Sequence, residues 1–443
     1  MLVVIGSFAN PAFGGGVDNK QNFSAAYAGS LSRNAATDGT DVAAYNPGGI
    51  MFLNNGFTMS VDAQPFTFDY DHIYNNETRT ASPWLVTPTA FGIYKSDKWA
   101  VFGAFTINGG GGETEYENGN IITENIGTAA RAGTFTDGGG LSGTGGYSGF
   151  EALTGTTRPN SSELALGGTL SDEYSYAKSF DYTFTTGVSY KFNSVVSAAA
   201  GIRYVWTDKE VDIHGTYTLG GSSTSVLGKY DQEADGFGGI FGINLRPSDT
   251  VNIGIRYETK VKLDWETTVD SATRGTVGEN ILWMNGRVHG ESYARDLPAV
   301  LGLGIEWQAL PKLSINPSYT LYFEKDADWD TQNAKVDKNS YDLALGLQYD
   351  INEQWSATAG YMYIGIGISP DDYGLIEKMS PPLDCHAFAL GAKYRMTKQL
   401  MLTFGLTGYF YQADTDFSSN NVTTVTYDKE LYSGAIGIQY SFM

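Results

Sequence analysis

A single cysteine, Cys385, leaves this 443-residue chain without an internal disulfide, and its four scattered histidines, His72, His214, His289 and His386, lack the spacing of a metal site. Charge is also scarce: Asp, Glu, Lys and Arg make up 17% of the residues, against roughly 25% in ordinary soluble domains. Something other than charge must cover the surface. Basic residues are the scarcer kind, 28 against 49 acidic ones, for a net charge of −21. A nucleic-acid partner is disfavoured, because phosphate binding rests on clustered Lys and Arg. No run of about 18 apolar residues occurs, so no membrane-spanning helix is encoded. If the chain crosses a membrane it does so as a closed barrel, the other structure that satisfies its backbone in lipid. No proline-rich or Ser/Gly linker divides the chain into separately patterned halves, which favours one large unit.

Aromatic residues, by contrast, reach 14% and glycine contributes 55 positions. That combination suits strands and tight turns and works against helices. From residue 56 onward, stretches of about ten residues alternate apolar with small or polar side chains, as expected where one face meets lipid and the other a polar lumen. Tyr341, Leu343, Leu345, Leu347 and Tyr349 share one face, with tyrosine at both ends. Fourteen such segments start near residues 56, 84, 98, 179, 195, 234, 250, 298, 312, 340, 354, 385, 399 and 427. Short polar turns at 95–98, 192–194, 246–249, 310–312, 351–354 and 396–399 alternate with long excursions at 70–83, 113–178, 212–233, 266–296, 325–339, 365–384 and 413–426. The short set reads as periplasmic and the long set as extracellular. The expected fold is all-β, a transmembrane antiparallel barrel of about 14 strands.

The first 55 residues differ. Residues 1–12 carry a short apolar run followed by small residues, which reads as the remnant of a signal peptide or as a buried first strand. Residues 13–55 do not alternate, and Gly29, Gly39, Pro47, Gly48 and Gly49 allow only short helices. The segment is too small to fold alone, and a barrel of this size has a lumen wide enough to hold it as a plug.

The stretch AYAGSLSRNAATDGTDVAAYNPGGI (26–50) resembles the plug of the FadL/TodX-type outer-membrane transporters of long-chain fatty acids and hydrocarbons. YETKVKLDWE (257–266), DLPA (296–299) and SPPLDCHAFALGAKY (380–394) add to the likeness. It implies a bacterial outer-membrane channel, not an enzyme and without a cofactor, that takes up fatty acids or related hydrophobic molecules passively. It implies a monomer surrounded by outer-membrane lipid and lipopolysaccharide. The family usually carries Asn-Pro-Ala where this chain has Asn46, Pro47 and Gly48.

Candidate site residues follow. The family releases ligand sideways where the third strand kinks, and here that strand meets Asn108, Gly109, Gly110, Gly111 and Gly112. Consecutive glycines mark a bend within a strand, or else they open the long loop. Strand parity turns Arg203, Lys209 and Arg256 inward, either to hold a ligand carboxylate or to pair with luminal acids such as Asp342. The resemblance adds Lys325. Phe23 and Tyr27 either touch ligand or pack the lumen wall. Two other readings use the same barrel: a lipid hydrolase built on His386, although no serine partner stands out, and an adhesin acting through loop 113–178.

Overall fold

The computed structural model describes residues 22–124, 169–219, 222–330, 336–374, 376–416 and 424–442. The signal-peptide reading of residues 1–12 and most of loop 113–178 lie outside them.

All strands belong to one sheet of eighteen, fourteen of which build the wall while four short ones extend its outer rim. The wall strands are β1 (Gly56–Tyr74), β2 (Trp84–Lys95), β3 (Trp99–Tyr116), β4 (Thr169–Lys191), β5 (Val196–Leu219), β6 (Ser222–Ser248) and β7 (Val251–Glu258), followed by β8 (Val300–Leu310), β9 (Leu313–Tyr322), β10 (Ser340–Asp350), β11 (Trp355–Gly365), β12 (Cys385–Arg395), β13 (Leu400–Tyr411) and β14 (Val425–Phe442). Each pairs antiparallel with its sequence neighbours. β1 and β14 close the ring from Phe57↔Phe442 to Ile73↔Thr426. Closure leaves neither the first nor the last strand as a free edge.

The alternation decides which face meets what. Leu343, Leu345 and Leu347 are exposed, as are Ile202, Phe237, Leu390, Leu406 and Ile436. So broad an exposed apolar surface would be unstable in water and fits a lipid-facing band. Trp99, Tyr190, Trp307, Tyr349, Trp355 and Tyr440 edge it on the side of the short turns. Trp355 stacks on Tyr394 at 4.4 Å there. Amphipathic rings of this kind sit at the level of the lipid headgroups.

The six short turns fall where expected, but two of the long excursions do not. β5 and β6 run on to Leu219 and Ser222, so 212–233 is a projecting hairpin and not a loop. β4 likewise begins at Thr169, ten residues before the expected start. The charges at Glu210, Asp212, Asp231 and Glu233 suggest a loop, but Val211, Ile213 and Val226 keep the alternation and are buried. Spanning lipid takes about 9–11 residues, and β6 has 27, so its outer half stands beyond the membrane. There it pairs with Asp264–Val269. The excursion 266–296 also contains a helix, α3 (Val277–Met284), capped by Thr276.

Candidate functional site

Residues 22–55 hold two one-turn helices, α1 (Ala25–Ala28) and α2 (Val42–Tyr45), and a 3-10 turn, Pro47–Phe52. Ser24 caps α1 by accepting from Tyr27 N at 3.0 Å, and donates to Asp41 at 2.7 Å. Arg33 grips both Asp41 oxygens, at 2.9 and 2.6 Å. Forked pairing of this kind fixes geometry as well as charge.

The segment packs against inward side chains from strands all round the ring. Its carbonyls accept hydroxyl hydrogens from the wall: Thr407 to Ala28 and Thr358 to Gly29, both 2.6 Å; Ser189 to Pro47, 2.8 Å; Ser197 to Gly48, 2.7 Å. Asp62 of β1 accepts from Ala25 N at 2.8 Å. With no regular partner of its own, a buried backbone must be satisfied this way. Where the segment comes closest, the wall carries glycine. A Cβ on Gly254 would lie 2.0 Å from Asn34 O, and one on Gly360 would lie 2.1 Å from Ser30 O. This contact explains why the inward face is rich in Gly, Ser and Thr.

Asn46, Pro47 and Gly48 are at the centre of this seam. Asn46 donates to Ala36 O at 3.0 Å and to Asn244 Oδ1 at 2.7 Å. A Cβ at Gly48 would come within 2.8 Å of the Asn244 backbone nitrogen, which accounts for glycine in place of the expected alanine. Phe23 and Tyr27 are buried and stack on either side of Tyr45, with centroids 5.5 and 5.3 Å away.

Of the proposed cations, Arg203 and Arg256 do come together inside the barrel, but around an acid that the sequence reading missed. Arg203 Nη1 is 2.7 Å and Arg256 Nε 3.2 Å from Glu258. Arg256 also donates to Ala44 O at 2.7 Å, tying α2 to β7. The expected acid, Asp342, accepts instead from Tyr322 at 2.7 Å. Glu258 was legible in principle, because it is two residues beyond Arg256 and so on the same face. Lys209 also faces inward but nearer the outer end, where its charged neighbours are Glu377, Arg287 and Arg295. Lys325 is apart from all of these, exposed in a 3-10 turn, Glu324–Asp326.

β3 does not end at its glycines. It continues to Tyr116 with two bulges, in which Asn108 and Gly111 have no opposite residue on β4. Over the same stretch its other edge changes. The β2–β3 ladder covers only Ala90–Lys95 against Phe105–Ala100. Beyond Phe105, β3 keeps β4 but leaves β2. A cleft of about 450 Å³ lies above the parting, between residues 78–84 and 113–119. His386 lies on the outward face, bonded to Tyr361 at 2.9 Å and Gln412 at 3.1 Å, an arrangement that supplies no nucleophile.

Comparison with known proteins agrees with this geometry. Outer membrane protein P1 of Haemophilus influenzae is 25% identical over 245 residues, 51% of each chain. The chain thus matches about half the length of that curated relative. Among solved structures, a Pseudomonas aeruginosa FadL homologue superposes with a TM-score of 0.63 at 15% identity, covering 95% of this chain and 98% of that one. The Ralstonia pickettii toluene transporter TbuX gives 0.60 at 14%, covering 96% and 100%. The P. putida toluene transporter TodX gives 0.59 at 13%, covering 91% and 94%. At such identities the likeness is one of fold. The family model described as outer membrane protein transport protein (OMPP1/FadL/TodX) matches residues 172–442, more than half of the sequence, and the chain therefore belongs to that family of outer-membrane transport proteins.

Proposed function

We propose that the protein is a passive channel for hydrophobic compounds, fatty acids or related hydrocarbons, in which residues 22–55 act as the plug. Ligand meets the plug inside the barrel and leaves sideways into lipid between β2 and β3. The observation that carries this reading is the parting of those strands beyond Phe105, beside bulges at Asn108 and Gly111. An apolar molecule released sideways avoids crossing the polar seam beneath the plug, where Arg33, Asp38, Asp41 and Lys393 cluster.

The candidate cations divide under this reading. Arg203 and Arg256 hold the plug to β7 through Glu258 and Ala44, whereas Lys209 remains available to a ligand. Deleting Asn108 and Gly111 together restores one-to-one pairing of β3 with β4. The expected result is a folded barrel, recognised by its heat-dependent electrophoretic mobility, that no longer speeds movement of a labelled hydrocarbon into lipid vesicles. Full transport by the deletion variant would rule out the sideways route.

A further inference from the structure

The connection between β11 and β12, residues 366–384, falls in the excursion 365–384 that the sequence reads as extracellular. Instead it turns inward. Ile368, Tyr373, Ile376, Met379 and Leu383 are all buried. Its two middle charges are anchored to different sides of the ring. Glu377 pairs with Arg287, from the connection between β7 and β8. Lys378, 1% exposed, pairs at 2.5 Å with Asp416, from the connection between β13 and β14. Those connections are six strands apart in a ring of fourteen, so the strap crosses the mouth. On the Asp416 side, Tyr70 donates to Pro381 O at 2.5 Å and His72 Nε2 to Met379 O at 3.1 Å.

The Glu377 end has more cation than acid. The Arg287 guanidinium lies over the Tyr293 ring at 4.4 Å and donates to Asn285 O at 3.0 Å. Lys209, on the inward face of β5, is within electrostatic range of the same carboxylate, and among the described residues it has no ion-pair partner. The strap's Ile376 and Met379 belong to the continuous apolar core that also takes in Val226, Ile281 and Leu282.

We propose that Arg287 and Lys209 form a receiving site for the carboxylate of an amphiphile, and that Glu377 occupies it in the closed state as an internal substitute. An arriving carboxylate exchanges for Glu377, releases that end of the strap and opens the mouth. This inference rests on the channel reading and adds to it a ligand class and a gate. A neutral hydrocarbon tail of the same length lacks the group that competes, and a ligand opens a gate only through its preference for the open state.

The test uses the full chain in a nonionic detergent, with Ile376→Cys, next to Glu377 and buried in the closed strap, as reporter in a Cys385→Ala background and maleimide labelling as readout. Dodecanoate is expected to raise the labelling rate about tenfold or more, saturably, and dodecanol less than about twofold. Glu377→Gln should label fast without any addition, and Arg287→Met should label fast yet ignore dodecanoate. Equal acceleration by acid and alcohol, no acceleration by acid, or slow labelling of a correctly folded Glu377→Gln variant would each overturn the proposal. Hydrocarbon transfer into vesicles, measured on the same samples, separates the two claims. Transfer without an acid response removes only the gate, and an acid response without transfer removes only the channel reading.

Discussion

Asn46 donates to Asn244 Oδ1 at 2.7 Å, and Asn244 in turn donates to Asn252 Oδ1 at 2.6 Å, so one amide chain joins the plug to two strands of the wall. Removing the middle member takes one hydrogen bond from each flanking buried amide, leaving Asn46 on Ala36 O and Asn252 on Ala35 O, a loss worth about 1–3 kcal/mol. Asn244→Ala is therefore expected to leave the barrel folded but to speed hydrogen exchange across residues 22–53. Unchanged exchange there would show that the seam does not depend on this chain.

Glu258 is shared by Arg203 and Arg256, at 2.7 and 3.2 Å. Its neutralisation strands two guanidinium groups in the interior, and breaking a buried pair costs about 3–5 kcal/mol. Glu258→Gln should lower the unfolding free energy of the vesicle-inserted barrel by about that amount, read as a lower urea midpoint. A midpoint equal to the parent's would return both arginines to the ligand.

Asp38 sets a pH limit on the plug. Burial opposes its charge, but Arg33 and Lys393 outweigh this and hold the carboxyl well below the usual range, with Glu306 the facing acid. A carboxylate depressed by folding stabilises the native state above its unfolded value of about 3.9, and that contribution fades as pH falls through the depressed value. Exchange protection of residues 22–53, corrected for intrinsic rates, should not fall between neutral pH and about 4 and should decline below it. Asp38→Asn should show weakened protection already at neutral pH and a flatter profile. A decline centred near neutrality would point to a different group.

On the outer face the chemistry is simpler. Leu345 is exposed midway along β10. Arginine at the bilayer midplane costs about 2–4 kcal/mol, so Leu345→Arg should destabilise the vesicle-inserted barrel by that amount. The same change should have little effect on the detergent-solubilised protein. Equal effects in both would argue against a lipid contact at this position.

The wall was legible because lipid imposes a strict period of two, and residues such as Leu343, Leu345 and Leu347 have no other constraint. Parity placed Arg203 and Arg256 inside for the same reason. What parity cannot supply is the register between strands: Glu258 is on the next-but-one strand from Arg203 and is brought to it because both strands pair with β6, Arg203 opposite Gly238 and Glu258 opposite Ile240. Glycine at 109–112 fitted both a bend and a loop, and only the register of β3 against β4 separates them. The strap at 366–384 was misread because Glu377 and Lys378 look solvated until Arg287 and Asp416, 90 and 38 residues away in sequence, come into contact with them.

The glycine-lined seam also governs the order of assembly. Thr358, Thr407 and Gln439 hold residues 29, 28 and 40 across separations of 329, 379 and 399 positions. The plug has no core of its own and touches both the first strand and the last few, so its docking cannot be completed before the C-terminal strands are in place. The segment's contacts are therefore complete only once ring closure has brought β1 and β14 together.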